Sequence, residues 1–204
     1  MTKILYHGTS EANLDQILRV GLKPRGKKKS LWTEHPSAPN RVYLTDAYAI
    51  YFANCAVKIG ERAVILKVEV PEFKLVADED ALAQTKIVDE DFKFLNDLDI
   101  KERTKFWKKN APKYPHLAEF SLRALGNAAH MGVIKPSQIV KFVTYDVTPE
   151  MIFGHDPTIS VLNYKLLGEG YRTALAKFVD TDGKEGRNSR ESLDALWQKA
   201  RQDV

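Results

Sequence analysis

Short apolar runs alternate with polar breaks along this chain, and the period of each run predicts its element. Lys3–Tyr6 predicts a first strand that leads into His7-Gly8-Thr9-Ser10, a turn and helix-cap signal. Leu14, Ile17 and Leu18 follow at helical spacing and Gly21 stands where a helix would stop. Residues 11–20 therefore predict a short amphipathic helix capped by Thr9 or Ser10. From Lys23 to Asn40, Pro24, Gly26, Pro36 and Pro39 break every period and predict a long loop. Arg41–Thr45 reads as a strand, and Asp46 as the cap of a helix over 47–59 that Gly60 ends. Ala63–Val70, rich in β-branched residues, is the clearest strand.

The second half is less regular. Residues 78–102 are acidic, Lys101–Lys113 is mostly basic, and both read as helices and loops. A helix over 116–125 reaches Gly126, followed by strands over 127–134 and 138–147. Residues 180–188 predict a polar loop, and Ser189 the cap of a terminal helix with Leu193, Leu196 and Trp197 on one face. Strands and helices are mixed without the alternation of a doubly wound sheet, and GxGxxG and GxxxxGK[ST] motifs do not occur. The expected class is α+β, with a mainly antiparallel or split sheet and flanking helices.

Composition narrows this picture. The 204 residues are 44% hydrophobic and 28% charged, which excludes a disordered chain, a collagen-like fibre and a disulfide scaffold. The expected organisation is one domain over residues 1–147, with a helical extension over 148–204 packed on it. A single cysteine, Cys55, forms no internal disulfide. It reads as a helix packing residue and suggests a reducing compartment. No run approaches the ~18 apolar residues of a membrane span, so the expectation is a cytoplasmic protein without membrane contact. The net charge of +4 permits an anionic partner without requiring one. Arg19, Lys23, Arg25, Lys27, Lys28 and Lys29 lie close together with no acidic residue among them. With Trp32 beyond, they suggest contacts to RNA or DNA. The acidic stretch 78–102 argues the other way unless it lies on another face.

The candidate chemistry begins at His7. An imidazole beside Gly8 and the Thr9 hydroxyl suits a sugar hydroxyl and a carboxamide, although His7-Gly8-Thr9 alone reads more readily as a turn and helix entry. Tyr43 alone reads as a strand packing residue, and Tyr48, Tyr51 and Phe52 as core. His35, His116, His130 and His155 show no metal spacing and read as structural or surface residues.

The order of these motifs adds a second reading. Ile4-Leu5-Tyr6-His7-Gly8-Thr9, then Leu14, Ile17, Leu18 and Gly21-Leu22, then Arg41-Val42-Tyr43-Leu44-Thr45-Asp46, resembles the NAD-binding half of the ADP-ribosyltransferase superfamily. Gly132-Val133-Ile134-Lys135-Pro136-Ser137-Gln138-Ile139 resembles its closing strand segment. The resemblance implies a split sheet whose cleft binds NAD as co-substrate. It implies Gly8 on the nicotinamide amide, His7 and Thr9 on the adjoining ribose, and Tyr43 packed on the nicotinamide with Tyr51. It also implies transfer of ADP-ribose to a macromolecular acceptor, nucleic acid being favoured over protein. A carboxylate would stabilise the oxocarbenium-like centre.

The sequence departs from the family at that carboxylate, because Asn127 stands where the glutamate is expected. Glu119 is ranked first as its replacement, followed by Asp78 and Asp80, with Asn127 as a neutral hydrogen-bonding residue in the slot. Tyr6-His7-Gly8-Thr9 through Gly21-Leu22-Lys23-Pro24-Arg25 also resembles the RNA 2′-phosphotransferases, which use NAD with basic residues in place of a glutamate. Tyr43 stands where those enzymes tend to have histidine, and their N-terminal basic domain is missing. A non-catalytic nucleotide- or nucleic-acid-binding module is the third alternative.

Overall fold

A computed structural model describes residues 1–28, 36–85, 90–147 and 161–183, and of 161–168 the backbone alone. Six strands form one antiparallel sheet: β1 (Thr2–Ser10), β2 (Arg41–Thr45), β3 (Arg62–Pro71), β4 (Leu75–Ala77), β5 (Asn127–Met131) and β6 (Ile139–Asp146). Their spatial order is β4-β5-β2-β1-β3-β6. The described helices are α1 (Leu14–Val20), α2 (Ala49–Cys55), α3 (Glu79–Gln84), α4 (Ile100–Asn110), α5 (Leu117–Leu125) and α6 (Val161–Asp180), with short 3-10 turns between several of them. The class is α+β, as the unalternating pattern predicts.

The sheet consists of two unequal halves. β1 pairs with β3 along its whole length, from Thr2 opposite Pro71 to Ser10 opposite Ala63. β2 pairs with β5 over all five residues. Between the halves, β1 and β2 share the single register pair Tyr6–Thr45.

Chain length shows that the halves fold toward each other. β3 and β4 are four strand spacings apart in the order, about 19 Å in a flat sheet. Only Glu72–Lys74 joins them, so Pro71 and Leu75 lie at most about 14 Å apart. The sheet must therefore curl. Its concave face carries one core that draws Leu5, Val64, Leu66, Val68 and Val70 from one half and Val42, Leu44, Ala128 and Leu75 from the other. Leu14 and Ile17 of α1 and Leu122 of α5 join this core.

On the opposite face of β1-β3-β6, Tyr6, Ile65, Val143 and Tyr145 pack against Ala49 and Ala53 of α2 and Leu175, Phe178 and Val179 of α6. β3 is apolar in succession over Ala63–Leu66, where both its faces are covered. Full burial of Val64, Ile65, Leu66, Val68 and Val70 contributes about 1.5–3 kcal/mol each. A third cluster joins Leu82, Phe92, Leu95 and Trp107 around α3 and α4.

Several local expectations need correction. β1 does not turn at His7 but runs to Ser10, because β3 offers it a continuous partner. The Ser10 hydroxyl then accepts from Ala12 N–H at 3.3 Å and begins the helical segment. Asp46 does not cap α2. The Thr45 hydroxyl accepts from Ala47 and Tyr48 N–H at 3.1 and 2.9 Å, and Asp46 pairs instead with Arg172 of α6 at 3.1 Å. α2 ends at Cys55, which is exposed and not a packing residue. β4 is a strand that no periodicity signals, since three residues contain no full pattern. β5 stops at Met131, where Gly132 turns the chain with φ 81°. The helix predicted from Ser189, together with Lys29, Trp32, His35 and His155, lies outside the described residues.

Candidate functional site

The site lies where β1 and β2 part. Continued pairing would set Gly8 opposite Tyr43, but no β1–β2 pair follows Tyr6–Thr45. The imidazole of His7 bridges the gap, with Nδ1 2.9 Å from the main-chain oxygen of Tyr43. A carbonyl oxygen only accepts, so Nδ1 carries the proton and donates. Burial lowers the pKa of His7, and this bond to Tyr43 offsets part of the effect. The neutral ring then keeps the lone pair of Nε2 as an acceptor. Part of the His7 surface remains open to solvent.

Gly8 has a packing reason for its identity. A Cβ there would stand 2.2 Å from Ala49 O and 2.5 Å from Ala53 N, both main-chain atoms of α2. The side-chain direction is filled by helix, so no side chain fits at this position. The Thr9 hydroxyl accepts from Asn13 Nδ2 at 3.3 Å. Tyr51 sits half-buried on α2 with its ring 5.4 Å from that of Phe52.

The phenol of Tyr43 is anchored from two directions. Its hydroxyl donates to Glu79 Oε1 and accepts from Ala38 N–H at 2.7 Å. The same Glu79 oxygen accepts from Ala38 N–H at 3.1 Å, and Oε2 accepts from Arg41 Nη1 at 2.7 Å. Arg41 Nη2 donates to Lys108 O at 2.6 Å. The Arg41 and Glu79 side chains are 1% and 0% exposed, so this is a buried ion pair. Burial first, and then the Glu79 charge, raise the pKa of Tyr43 well above the ordinary phenol value, so the hydroxyl keeps its proton. Asp78, next to Glu79, is pushed up to about 7 by burial and by the charges of Glu79 and Asp80.

Glu119 does not join this group. It stands exposed in the first turn of α5, where it pairs with Lys3 of β1. Asn127 does lie close by, because it pairs with Thr45, two residues along β2 from Tyr43 and on the same side of the strand. Its Oδ1 is buried and has no hydrogen-bond partner. The structure thus brings the main chains of His7, Gly8, Thr9, Tyr43 and Asn127 around the parting strands, with the positions of Tyr43 and Asn127 on the face of Tyr6 and those of His7 and Thr9 on the face of Leu5, and leaves Glu119 outside.

The residue that sequence reasoning missed is Glu79, which in the sequence is one acid among three at a helix start. A signal for it existed in β2. Arg41 and Tyr43 share a face at period 2, and an arginine inside an apolar strand needs a buried partner. Compared with known proteins, the chain matches no family model and no curated sequence.

Proposed function

We propose that this chain is an NAD-dependent ADP-ribosyltransferase whose cleft is the opening between β1 and β2, in an ADP-ribosyltransferase-like split sheet. The observation that carries the reading is the neutral His7 bonded across that opening to Tyr43 O. Its Nε2 lone pair suits a ribose hydroxyl donor. Thr9 and the main chain of Gly8 continue along the same lip, and the ring of Tyr43 lies on the other. The Oδ1 of Asn127 is a buried acceptor left without a hydrogen-bond partner, which supports a polar ligand reaching it.

In the proposed reaction the bond between C1″ and nicotinamide breaks, and its electron pair leaves with nicotinamide. A lone pair of the acceptor then bonds C1″, and the acceptor's proton passes to solvent. Positive charge develops on the ribose, so groups that hold its hydroxyls in place lower the barrier. In this chain His7 and Asn127 take that part, and no role is given to Glu119. The phosphotransferase alternative requires open guanidinium groups. Arg25 spends its Nε, Nη1 and Nη2 on Ser37, Gly26 and Lys28, and Arg41 is buried on Glu79, so neither arginine favours it.

The test is nicotinamide release and label transfer from radiolabelled NAD in the presence of nucleic acid and protein acceptors. The wild type should release nicotinamide, and His7→Ala and Asn127→Ala should each lose at least tenfold while keeping the wild-type melting transition. Absence of both NAD binding and nicotinamide release refutes the reading. Binding without release favours the non-catalytic module.

A further inference from the structure

We infer that the surface formed by the end of α1, the following loop and the segment after β5 is a docking site for a nucleic-acid strand. The inference rests on the transferase reading only for the strand's role as acceptor.

Three segments distant in sequence are knit together here. Leu22 N–H donates to Ile134 O, and Ile134 N–H to Leu22 O, each at 2.9 Å. Gly26 N–H donates to Pro39 O at 2.9 Å, and Gly132 N–H to Asn40 O at 3.4 Å. Arg25 reinforces the join with bonds from Nε and Nη2 to Ser37 O at 3.2 and 2.6 Å. Residues 16–28, 36–40 and 132–138 are therefore one surface.

That surface contains six cations (Arg19, Lys23, Arg25, Lys27, Lys28 and Lys135) and no acidic residue in its three segments. The whole chain carries only +4, so the rest of it sums to −2. Arg19, Lys23, Lys27, Lys28 and Lys135 are exposed, and none of them forms an ion pair among the described residues. Concentration of like charge disfavours folding, and a polyanion relieves it by releasing its own counterions. Leu18 and Val133, 38% and 41% exposed, stand among these cations. Apolar side chains beside unpaired cations suit a strand that carries both phosphates and bases.

The surface is also tied to the candidate site. Ala38, adjacent to the Ser37 that Arg25 holds, donates its N–H to the Tyr43 hydroxyl. A strand held on the loop is therefore held by the segment that anchors Tyr43.

The experiment is fluorescence anisotropy of the full chain with single-stranded RNA and DNA oligonucleotides, without NAD, across a salt series. Phosphate contacts from the five exposed cations to a single strand predict a log–log salt slope of roughly −3.5, a loss of about 100-fold between 50 and 200 mM salt. Lys23→Gln with Lys135→Gln, residues far apart in sequence, should reduce that slope by about 1.4. Lys58→Gln, on the turn after α2, should leave it unchanged. His7→Ala should bind as the wild type does, so nucleic-acid binding and NAD chemistry fail independently. The inference is overturned if neither oligonucleotide binds at 50 mM salt or if the double variant keeps the wild-type slope. It is also overturned if polyglutamate of equal charge binds as tightly. Tighter binding of RNA or of DNA identifies the strand and supports the inference either way.

Discussion

Replacing Glu79 by glutamine should destabilise the protein far more than a one-atom change in the side chain suggests. Glu79 has two oxygens and four demands on them: Tyr43 O–H and Ala38 N–H at Oε1, Arg41 Nη1 at Oε2, and the charge of Arg41 as a whole. A glutamine amide turns one of those acceptors into a donor. Facing Arg41, it sets N–H against N–H; facing Tyr43, it removes the acceptor of the Tyr43 O–H and sets N–H against Ala38 N–H. In either orientation the Arg41 charge, 1% exposed, loses its counter-charge. Removing one partner of a buried pair costs about 3–5 kcal/mol. For a chain of this length, 1 kcal/mol shifts the melting temperature by about 2–4 °C, so Glu79→Gln should lower it by roughly 6–20 °C. The assay is thermal and urea unfolding of Glu79→Leu, Arg41→Met and the combination, alongside Glu79→Gln. Once both charges are absent, no unpaired ion remains, and the double variant should be more stable than the sum of the singles by about 2 kcal/mol. A cost below about 1 kcal/mol for Glu79→Gln refutes the reasoning, as does a cycle additive to within about 0.5 kcal/mol.

Two further outcomes follow from the same region. Gly8→Ala places a methyl group within 2.5 Å of two main-chain atoms of α2 and should cost about 3 kcal/mol in urea unfolding. Unchanged stability would mean that α2 moves aside freely. Asp78→Asn should stabilise the protein in a pH-dependent way. The folded-state value of about 7 exceeds the unfolded value near 3.9, so the folded state holds a proton that the unfolded state has lost, and wild-type stability falls as pH rises from about 4 through 7. Asparagine retains the acceptor for Asp80 N–H, at 3.0 Å in the wild type, and removes the charge. Because Asp78 is partly exposed, the expected gain is about 1 kcal/mol at pH 8, and none at pH 4. An equal effect at both pH values would show that the gain does not come from the charge.

Strands with a full apolar period were legible in the sequence. Ala63–Val70 is rich in β-branched residues and buried on both faces over Ala63–Leu66, and Arg41–Thr45 has its predicted bounds. α5 was legible for the same reason, closed by Gly126 in the left-handed conformation at φ 69°. β4 was not, because three residues paired to β5 carry no pattern apart from their partner. The capping of α2 is not legible locally because Thr45 and Asp46 are both good caps, and what decides between them is Arg172, 126 positions away in the chain. The same limit applied to the site. His7 and Tyr43 stood out through their local motifs, whereas Glu79 became visible only when folding set it beside Arg41.

The anchoring of Tyr43 changes the part this residue can play. A phenol hydroxyl has one proton to donate, and here Glu79 takes it, while Ala38 N–H occupies an acceptor position. Raised further from ionisation by burial and by the Glu79 charge, the hydroxyl cannot serve as a base. What remains for a ligand is the ring itself. The hydroxyl serves the loop, and this explains how residues 23–28 and 36–40 are held together without regular structure of their own. Ordering each residue costs about 1–2 kcal/mol of backbone entropy, which the Arg25 bonds to Ser37 and the Ala38 bonds to Tyr43 and Glu79 offset at its two ends. A buried ion pair on α3 thereby fixes, through one hydroxyl, both the aromatic ring at the opening of β1 and β2 and the basic loop beside it.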